Sequence, residues 1–150
     1  MSVNKIKSEL RSLSDPKRKK FLPAFFKTEK GGYGEGDKFI GVTVPNIRRI
    51  AKKYKAIDEK SVKDLLYSPW HEERFCAWII VLDRYKKSPD KKFWYEFSLK
   101  HIKQLNNWDL VDMVTPNLFG DYLLDKPDKQ IISWSKSDSS WIRRVAIMAT

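Results

Sequence analysis

The sequence is poor in the residues that build disulfide frameworks and metal sites. It contains one cysteine, Cys76, and two histidines, His71 and His101, that are far apart in the chain. A single cysteine excludes an internal disulfide, and its apolar neighbours predict a buried free thiol of the kind found in a reducing cytoplasm. We expect the histidines to be surface or packing residues, and we expect neither a metal site nor a cofactor.

Long apolar runs are also missing. The longest, Phe75 to Leu82, is far shorter than the roughly 20 residues that a membrane-spanning helix needs. The first residues, Met1 to Lys5, lack the apolar core of a secretory signal. The sequence therefore predicts a soluble cytoplasmic protein without a membrane partner.

Glycine is scarce outside one short segment. Four of the six glycines lie between Gly31 and Gly36, and this cluster predicts a flexible loop. A phosphate-binding loop is the alternative, but the Walker spacing and its Gly-Lys-Ser/Thr ending are absent.

Acidic residues are outnumbered by basic ones. Lys and Arg total 30 against 19 Asp and Glu, which gives a net charge of +11. A hydrophobic content of 41% indicates a folded protein, and 150 residues suit one domain that buries about two-thirds of its unfolded surface. The positive charge favours a polyanionic partner such as nucleic acid.

Helical periodicity runs along nearly the whole chain, and no segment alternates as a strand does. Val3–Leu13 predicts the first helix, and an apolar stripe predicts the second. Short breaks at prolines, including Pro116, separate further helical segments. The stripe of the second helix consists of Phe21, Leu22, Phe25 and Phe26.

A weak internal repeat accompanies this periodicity. Trp70 with Arg74 is echoed by Trp141 with Arg144, and the two arginines are 70 residues apart. Helix pairs that recur every 35–45 residues or so are typical of HEAT-like solenoids. We therefore predict an all-α fold, a right-handed α-solenoid of antiparallel helix pairs. We expect residues 1–150 to form one HEAT-like DNA-binding domain.

One predicted helix concentrates positive charge. Thr43 and Pro45 mark its start, and its cationic residues have no acid among them between Pro45 and Ile57. Charge runs are usually solvated faces, but this one lacks i,i+4 partners of opposite sign. We therefore expect a face that contacts phosphates; its cations are Arg48, Arg49, Lys52, Lys53 and Lys55.

The segment from Asn106 to Val114 places an indole and a carboxylate on one face of an apolar helix. Trp108 and Asp112 are four residues apart and therefore project together. Taken alone, Asp112 is expected to form a structural ion pair with Arg143 or Arg144. Nearby acids have simpler roles: Asp109 favours the dipole of a helix's first turn, and Glu72 and Glu73 are expected to pair with Arg74 and Arg84.

Four segments together give the chain its resemblance to a known family. They are Phe39–Arg49, Glu73–Phe75 with Tyr85–Lys87, Trp108–Asp112 and Trp141–Arg144. In this order they resemble the DNA alkylation repair enzymes of the AlkD type, which are HEAT-like DNA glycosylases. The resemblance covers essentially the whole chain. It implies a concave basic groove that accepts duplex DNA carrying an alkylated purine and reads damage along the backbone, without flipping the base.

The resemblance also implies roles for individual residues. Trp108 and Asp112 fall on the family's active-site tryptophan and aspartate, and Arg144 falls on its groove arginine. Phe25 takes the place of an aromatic residue that is usually tyrosine. Arg143 and the cations of the Arg48–Lys52 segment are expected to bind DNA as well.

Other interpretations stay open at this point. A catalytically silent relative would bind branched or damaged duplex DNA, and a HEAT-like scaffold would bind proteins. The chain stops at Thr150 without a C-cap glycine or a polar capping helix, so we expect a C-terminal truncation. In the family, later helices supply a second active-site tryptophan, which has no counterpart in this sequence. The sequence indicates no oligomeric state.

Overall fold

The computed structural model describes residues 2–150, which form helices and no strand. The all-α prediction is therefore confirmed, and the helical content is consistent with the predicted α-solenoid. An isolated parallel bridge joins Lys38 and Trp70. The helices are α1 (Val3–Ser12), α2 (Pro16–Phe25), α3 (Val44–Lys53), α4 (Glu59–Leu66), α5 (His71–Lys87), α6 (Lys91–Lys100), a 3-10 helix (Ile102–Gln104), α7 (Trp108–Val114), a π-helical segment (Thr115–Gly120), α8 (Asp121–Leu123), α9 (Lys129–Ser135) and α10 (Ser140–Met148).

The chain divides into two compact units, and the boundary lies between Ile80 and Val81 inside α5. In the first unit, α1 packs on α3 and α4. The buried faces follow the spacing that predicted these helices, so burial of these apolar side chains holds the unit together. The residues concerned are Ile6, Leu10, Ile47, Ile50, Val62 and Leu65. That the chain is one HEAT-like domain stays a prediction.

A buried carboxylate fixes the chain that leads into α3. Glu72, near the start of α5, accepts backbone N–H bonds from Ile40, Gly41 and Val42 at 2.9, 2.6 and 3.0 Å. Gly41 has φ +93°, and a Cβ there would lie 2.8 Å from the backbone oxygen of Asp15. The expected pairing of Glu72 with basic neighbours is therefore wrong. The three buried backbone N–H groups would otherwise lack an acceptor, whereas an exposed cation is already solvated by water.

The neighbouring buried charges also pair over long sequence distances. Glu73 accepts from Arg11 of α1 at 2.7 Å, whereas Arg74 donates to Asp37 at 2.6 Å. His71 Nδ1 lies 2.9 Å from the other oxygen of Asp37. The histidines are both buried, so they are packing and not surface residues. Neither glutamate pairs as predicted, since the partners come from other elements of the fold.

Cys76 is a buried free thiol, as predicted. Burial, together with the charge of Glu73, raises the pKa of the thiol to about 12. A thiol with that pKa is almost wholly protonated at neutral pH and is therefore a poor nucleophile.

In the second unit, the helix that begins at Trp108 does not stop at Pro116. It continues as the π-helical segment and α8 up to Leu123, so the predicted break is wrong. Proline lacks an N–H and its ring collides with the carbonyl four residues earlier in an α-helix, here that of Asp112, and the wider π turns accommodate this. The side chain of Asn117 donates to the Met113 carbonyl at 2.8 Å, where an α-helix would use the backbone.

Candidate active site and nucleic-acid contacts

The start of α7 is fixed by Asn107. Its buried side chain accepts a hydrogen bond from the backbone N–H of Trp108 at 2.9 Å. Leu110, Val111 and Val114 are fully buried, and they fix the rotation of the helix about its axis. That rotation leaves Trp108 and Asp112 half-buried at the edge of the packed face.

Asp112 is bound by Arg144 through two parallel hydrogen bonds. Arg144 Nε donates to Oδ1 at 2.8 Å, and Nη2 donates to Oδ2 at 2.7 Å. Side-chain exposure is 42% for Arg144 and 29% for Asp112, so the pair is open to solvent on one side. The hydrogen bonds to Asp112 raise the pKa of the Arg144 guanidinium, although its partial burial opposes this. Of the two arginines considered from the sequence, the structure pairs Arg144.

The packing of α10 on α7 brings this arginine into place. Ser139 caps α10, and Val145 and Ala146 are its buried residues. The end of α10 also lies close to the π-helical segment, because a Cβ added at Gly120 would be 3.2 Å from the Ala149 carbonyl oxygen. Arg144 directly precedes the buried Val145, and its side chain reaches Asp112 of α7.

Both residues of the pair keep hydrogen-bonding groups that the pair does not use. The Nη1 group and one N–H of Nη2 point away from Asp112, because a guanidinium is planar and two of its five donors are used. The carboxylate oxygens of Asp112 keep lone pairs on their outer side. Arg144, whose guanidinium is permanently charged, can therefore bind a second anion while it orients Asp112.

The side chain of Arg143 contacts the loop before α10. Its guanidinium donates to the carbonyls of Ser137 and Asp138 at 2.8 and 3.1 Å, so it braces the loop before α10. It is exposed. Its predicted contact with DNA stays a prediction.

The cationic helix predicted from the sequence is α3. Arg48, Arg49 and Lys52 are exposed on it, whereas Lys53 pairs with Glu9 of α1 at 2.5 Å. Hydrogen bonds from Lys53, and then from a neighbouring tyrosine, lower the pKa of Glu9. The absence of i,i+4 partners does not isolate Lys53, because its partner is 44 residues away in the sequence. A cleft of about 390 Å³ lies beside Glu9, Arg49 and Lys53.

Phe25 lies at the end of α2 and is 48% exposed. Its ring centroid is 5.4 Å from that of Phe21, which is 58% exposed. Leu22 and Phe26 are buried, so the apolar stripe predicted for this helix is only half used for packing. Thr43 occupies the N-cap position of α3 without a side-chain capping bond.

Metal-ligand clusters and membrane-spanning helices are both absent from the described part of the chain. Among residues 2–150, no group of three or more His, Cys, Asp or Glu side chains is placed to hold a metal ion. Over the same residues, no helix combines the length and apolar character needed to span a membrane.

The sequence was compared with known families and with curated proteins. The family model described as DNA alkylation repair enzyme matches residues 6–150, which include the Trp108–Asp112 segment and Arg144. No curated protein matches the chain. Because the match spans nearly the whole sequence, this chain belongs to the DNA alkylation repair enzyme family, as its motifs predicted, and its role is in DNA repair.

Proposed function

We propose that this protein is a DNA glycosylase that binds alkylated duplex DNA and releases cationic N3- or N7-alkylpurines. The observation that carries the proposal is the constellation of Trp108, Asp112 and Arg144 on two packed helices of a basic member of this family. An aromatic ring and a carboxylate suit a positively charged base and sugar. A guanidinium suits the phosphate backbone beside them.

The proposed reaction needs little acid catalysis. An N3- or N7-alkylated purine is already cationic, so the C1′–N bond breaks with its electron pair going to the purine, which leaves neutral. The sugar becomes an oxocarbenium ion, and water adds to C1′ and loses a proton. Asp112 stabilises the positive charge that develops on the sugar and orients the attacking water.

Trp108 contributes through its ring. A cation held over an indole face gains about 0.5–2 kcal/mol, and both the alkylated base and the oxocarbenium sugar are cationic. Because Trp108 lies one helical turn before Asp112, the two side chains can act on neighbouring parts of one nucleotide.

Arg144 has two proposed roles. Its Nε and Nη2 groups hold Asp112 in one orientation, and its remaining N–H groups bind a phosphate of the damaged strand. Further phosphate contacts are proposed for Arg48, Arg49, Lys52 and Arg143. Phe25 would contact the DNA through its ring, without the hydroxyl that the family usually places there.

The Asp112–Arg144 pair also favours a second candidate function. A carboxylate held by two hydrogen bonds to arginine forms a nearly neutral pair, and this weakens its electrostatic pull on a cationic sugar. A catalytically silent relative would use the same pair for structure and would bind damaged or branched duplex DNA only.

Base release separates the two candidates. Duplex DNA treated with a methylating agent is incubated with the protein, and free 7-methylguanine and 3-methyladenine are measured by chromatography. Release above the spontaneous rate supports the glycosylase, whereas duplex binding without release supports the silent relative.

A further inference from the structure

The exposed aromatic residues of α2 form a surface of which the proposed duplex contacts use only Phe25. Phe21 and Phe25 are one helical turn apart, and both are about half exposed with their ring centroids 5.4 Å apart. Adjacent exposed apolar side chains mark contact sites more often than single ones do. We call these two rings with Lys17 and Arg18 the α2 patch.

Positive charge surrounds these rings. Lys17 lies four residues before Phe21, and Arg18 lies three before it and seven before Phe25, so all four side chains share one side of the helix. No acid occurs between Asp15 and Glu29. Cations without acidic neighbours beside exposed rings fit a ligand that is both anionic and aromatic.

The patch is held in place by its surroundings. Leu22 and Phe26 are buried, the Phe26 ring lies edge-on to Phe25 with centroids 5.0 Å apart, and Tyr33 donates a hydrogen bond to the Phe25 carbonyl at 3.0 Å. Asp15 caps the helix by accepting from the Lys17 N–H at 2.9 Å. The rings are therefore presented on an anchored helix and not on a free end.

We infer that the α2 patch is a stacking platform for unpaired bases and binds single-stranded DNA. Base–aromatic stacking beside phosphate-binding cations is the general mode of single-strand recognition. The bases of an intact duplex are already stacked on one another, so their faces are closed to Phe21 and Phe25. A membrane surface is less well matched, because only two rings are exposed and the rest of the apolar side of α2 is buried.

This inference shares with the proposed function the assumption that DNA is the partner and the ring of Phe25. It requires neither an alkylated base nor Trp108, Asp112 or Arg144. A probe without purines separates the two, since oligothymidylate contains no substrate for the proposed reaction. A failure of single-strand binding then leaves the proposed base release untouched, and the reverse also holds.

The test is fluorescence anisotropy with labelled oligothymidylate and with an undamaged duplex of equal length. We expect Phe21→Ala, which leaves Phe25 in place for the proposed duplex contact, to bind the single strand about tenfold more weakly and the duplex less than about twofold more weakly. The matched control is Phe93→Ala, which removes a phenylalanine of similar exposure, 44%, from α6 and should change neither affinity. A Phe21→Tyr variant keeps the ring and should restore single-strand binding.

Several results would overturn the inference. They are equal single-strand affinity of the wild type and Phe21→Ala, an equal loss of affinity for both DNA forms in Phe21→Ala, and a variant that loses binding only to phosphatidylserine vesicles measured alongside. Should the alanine variant fail to fold, ultraviolet cross-linking of wild-type protein to bromouracil-substituted single strands replaces it. Cross-links must then map to the peptide that contains Phe21 and Phe25, and mapping elsewhere contradicts the inference.

Discussion

At the residue scale, the Asp112–Arg144 pair shows what a sequence can and cannot indicate. The i,i+4 spacing predicted that Trp108 and Asp112 share a helix face, and the structure places both at the edge of the packed face of α7. Choosing between Arg143 and Arg144 needed the burial of Val145 and Ala146, which sets the rotation of α10. The bidentate geometry joins residues 32 apart, so no local pattern contains it.

The first prediction concerns Arg144 and separates its charge from its shape. Arg144→Lys keeps the charge but cannot hold both oxygens of Asp112. We expect it to lower base release about tenfold and to leave the salt dependence of duplex binding unchanged. Arg144→Gln should lower base release further and should reduce the slope of log K against log salt by about 0.9, one phosphate contact. Unchanged base release in the Gln variant would refute both roles of Arg144.

The second prediction concerns Asp37, which is buried against His71 and Arg74. Burial alone would raise its pKa, but the hydrogen bond from His71 and the charge of Arg74 outweigh it and lower the pKa to about 2, from 3.8. The folded protein therefore binds fewer protons than the unfolded chain between these values, and stability rises with pH across this window and stays high above it.

Asp37→Asn should remove that pH dependence. We expect the variant to lose roughly 2 kcal/mol at neutral pH and to show a flatter curve of unfolding free energy between about pH 2 and 4. Urea denaturation at several pH values measures both. A variant whose curve runs parallel to that of the wild type would show that Asp37 does not provide this stabilisation.

At the element scale, the helix positions followed from periodicity, and the errors arose where tertiary contacts override local signals. Pro116 predicted a break, yet the π-helical segment carries the helix past it. Glu72 was expected to pair with basic neighbours, yet it accepts three backbone N–H groups from the segment before α3. In both cases the decisive partner is a backbone group, which the side-chain pattern does not describe.

The third prediction tests the packing of the segment that Glu72 holds, through two glycines with similar φ angles. Gly41 and Gly36 have φ +93° and +79°, but only at Gly41 would a Cβ meet backbone atoms, those of Asp15 and Lys19, at 2.8 Å. Gly36→Ala should cost about 1–2 kcal/mol from backbone strain alone. Gly41→Ala should cost more, about 3 kcal/mol or above, since overpacking adds to the strain. Equal losses in urea denaturation would mean that the close approach at Gly41 is unimportant.

At the scale of the whole molecule, the composition and the order of four motifs predicted the all-α class and the family, and both are confirmed. The division into two compact units was not foreseen, because its boundary falls inside the continuous helix α5. The net charge of +11 belongs to this scale as well, since it acts through the summed field of many side chains.

The fourth prediction uses that charge to separate DNA binding from a protein-interaction scaffold. Replacement of Arg48, Arg49 and Lys52 by Gln should reduce the slope of log K against log salt for duplex binding by about three, if each contacts one phosphate. The matched control removes the same three charges elsewhere, at Lys60, Lys86 and Lys92. We expect the control to change the slope by less than one. Duplex binding that is absent, or insensitive to salt, would favour the scaffold.

The central claim is that Asp112 acts on the glycosidic bond of an alkylated purine. The direct measurement is 7-methylguanine release from methylated duplex DNA by the wild type and by Asp112→Asn, with duplex affinity measured alongside. We predict release by the wild type, release at the spontaneous rate in the variant, and nearly equal affinities. Equal release by the two proteins would contradict the claim.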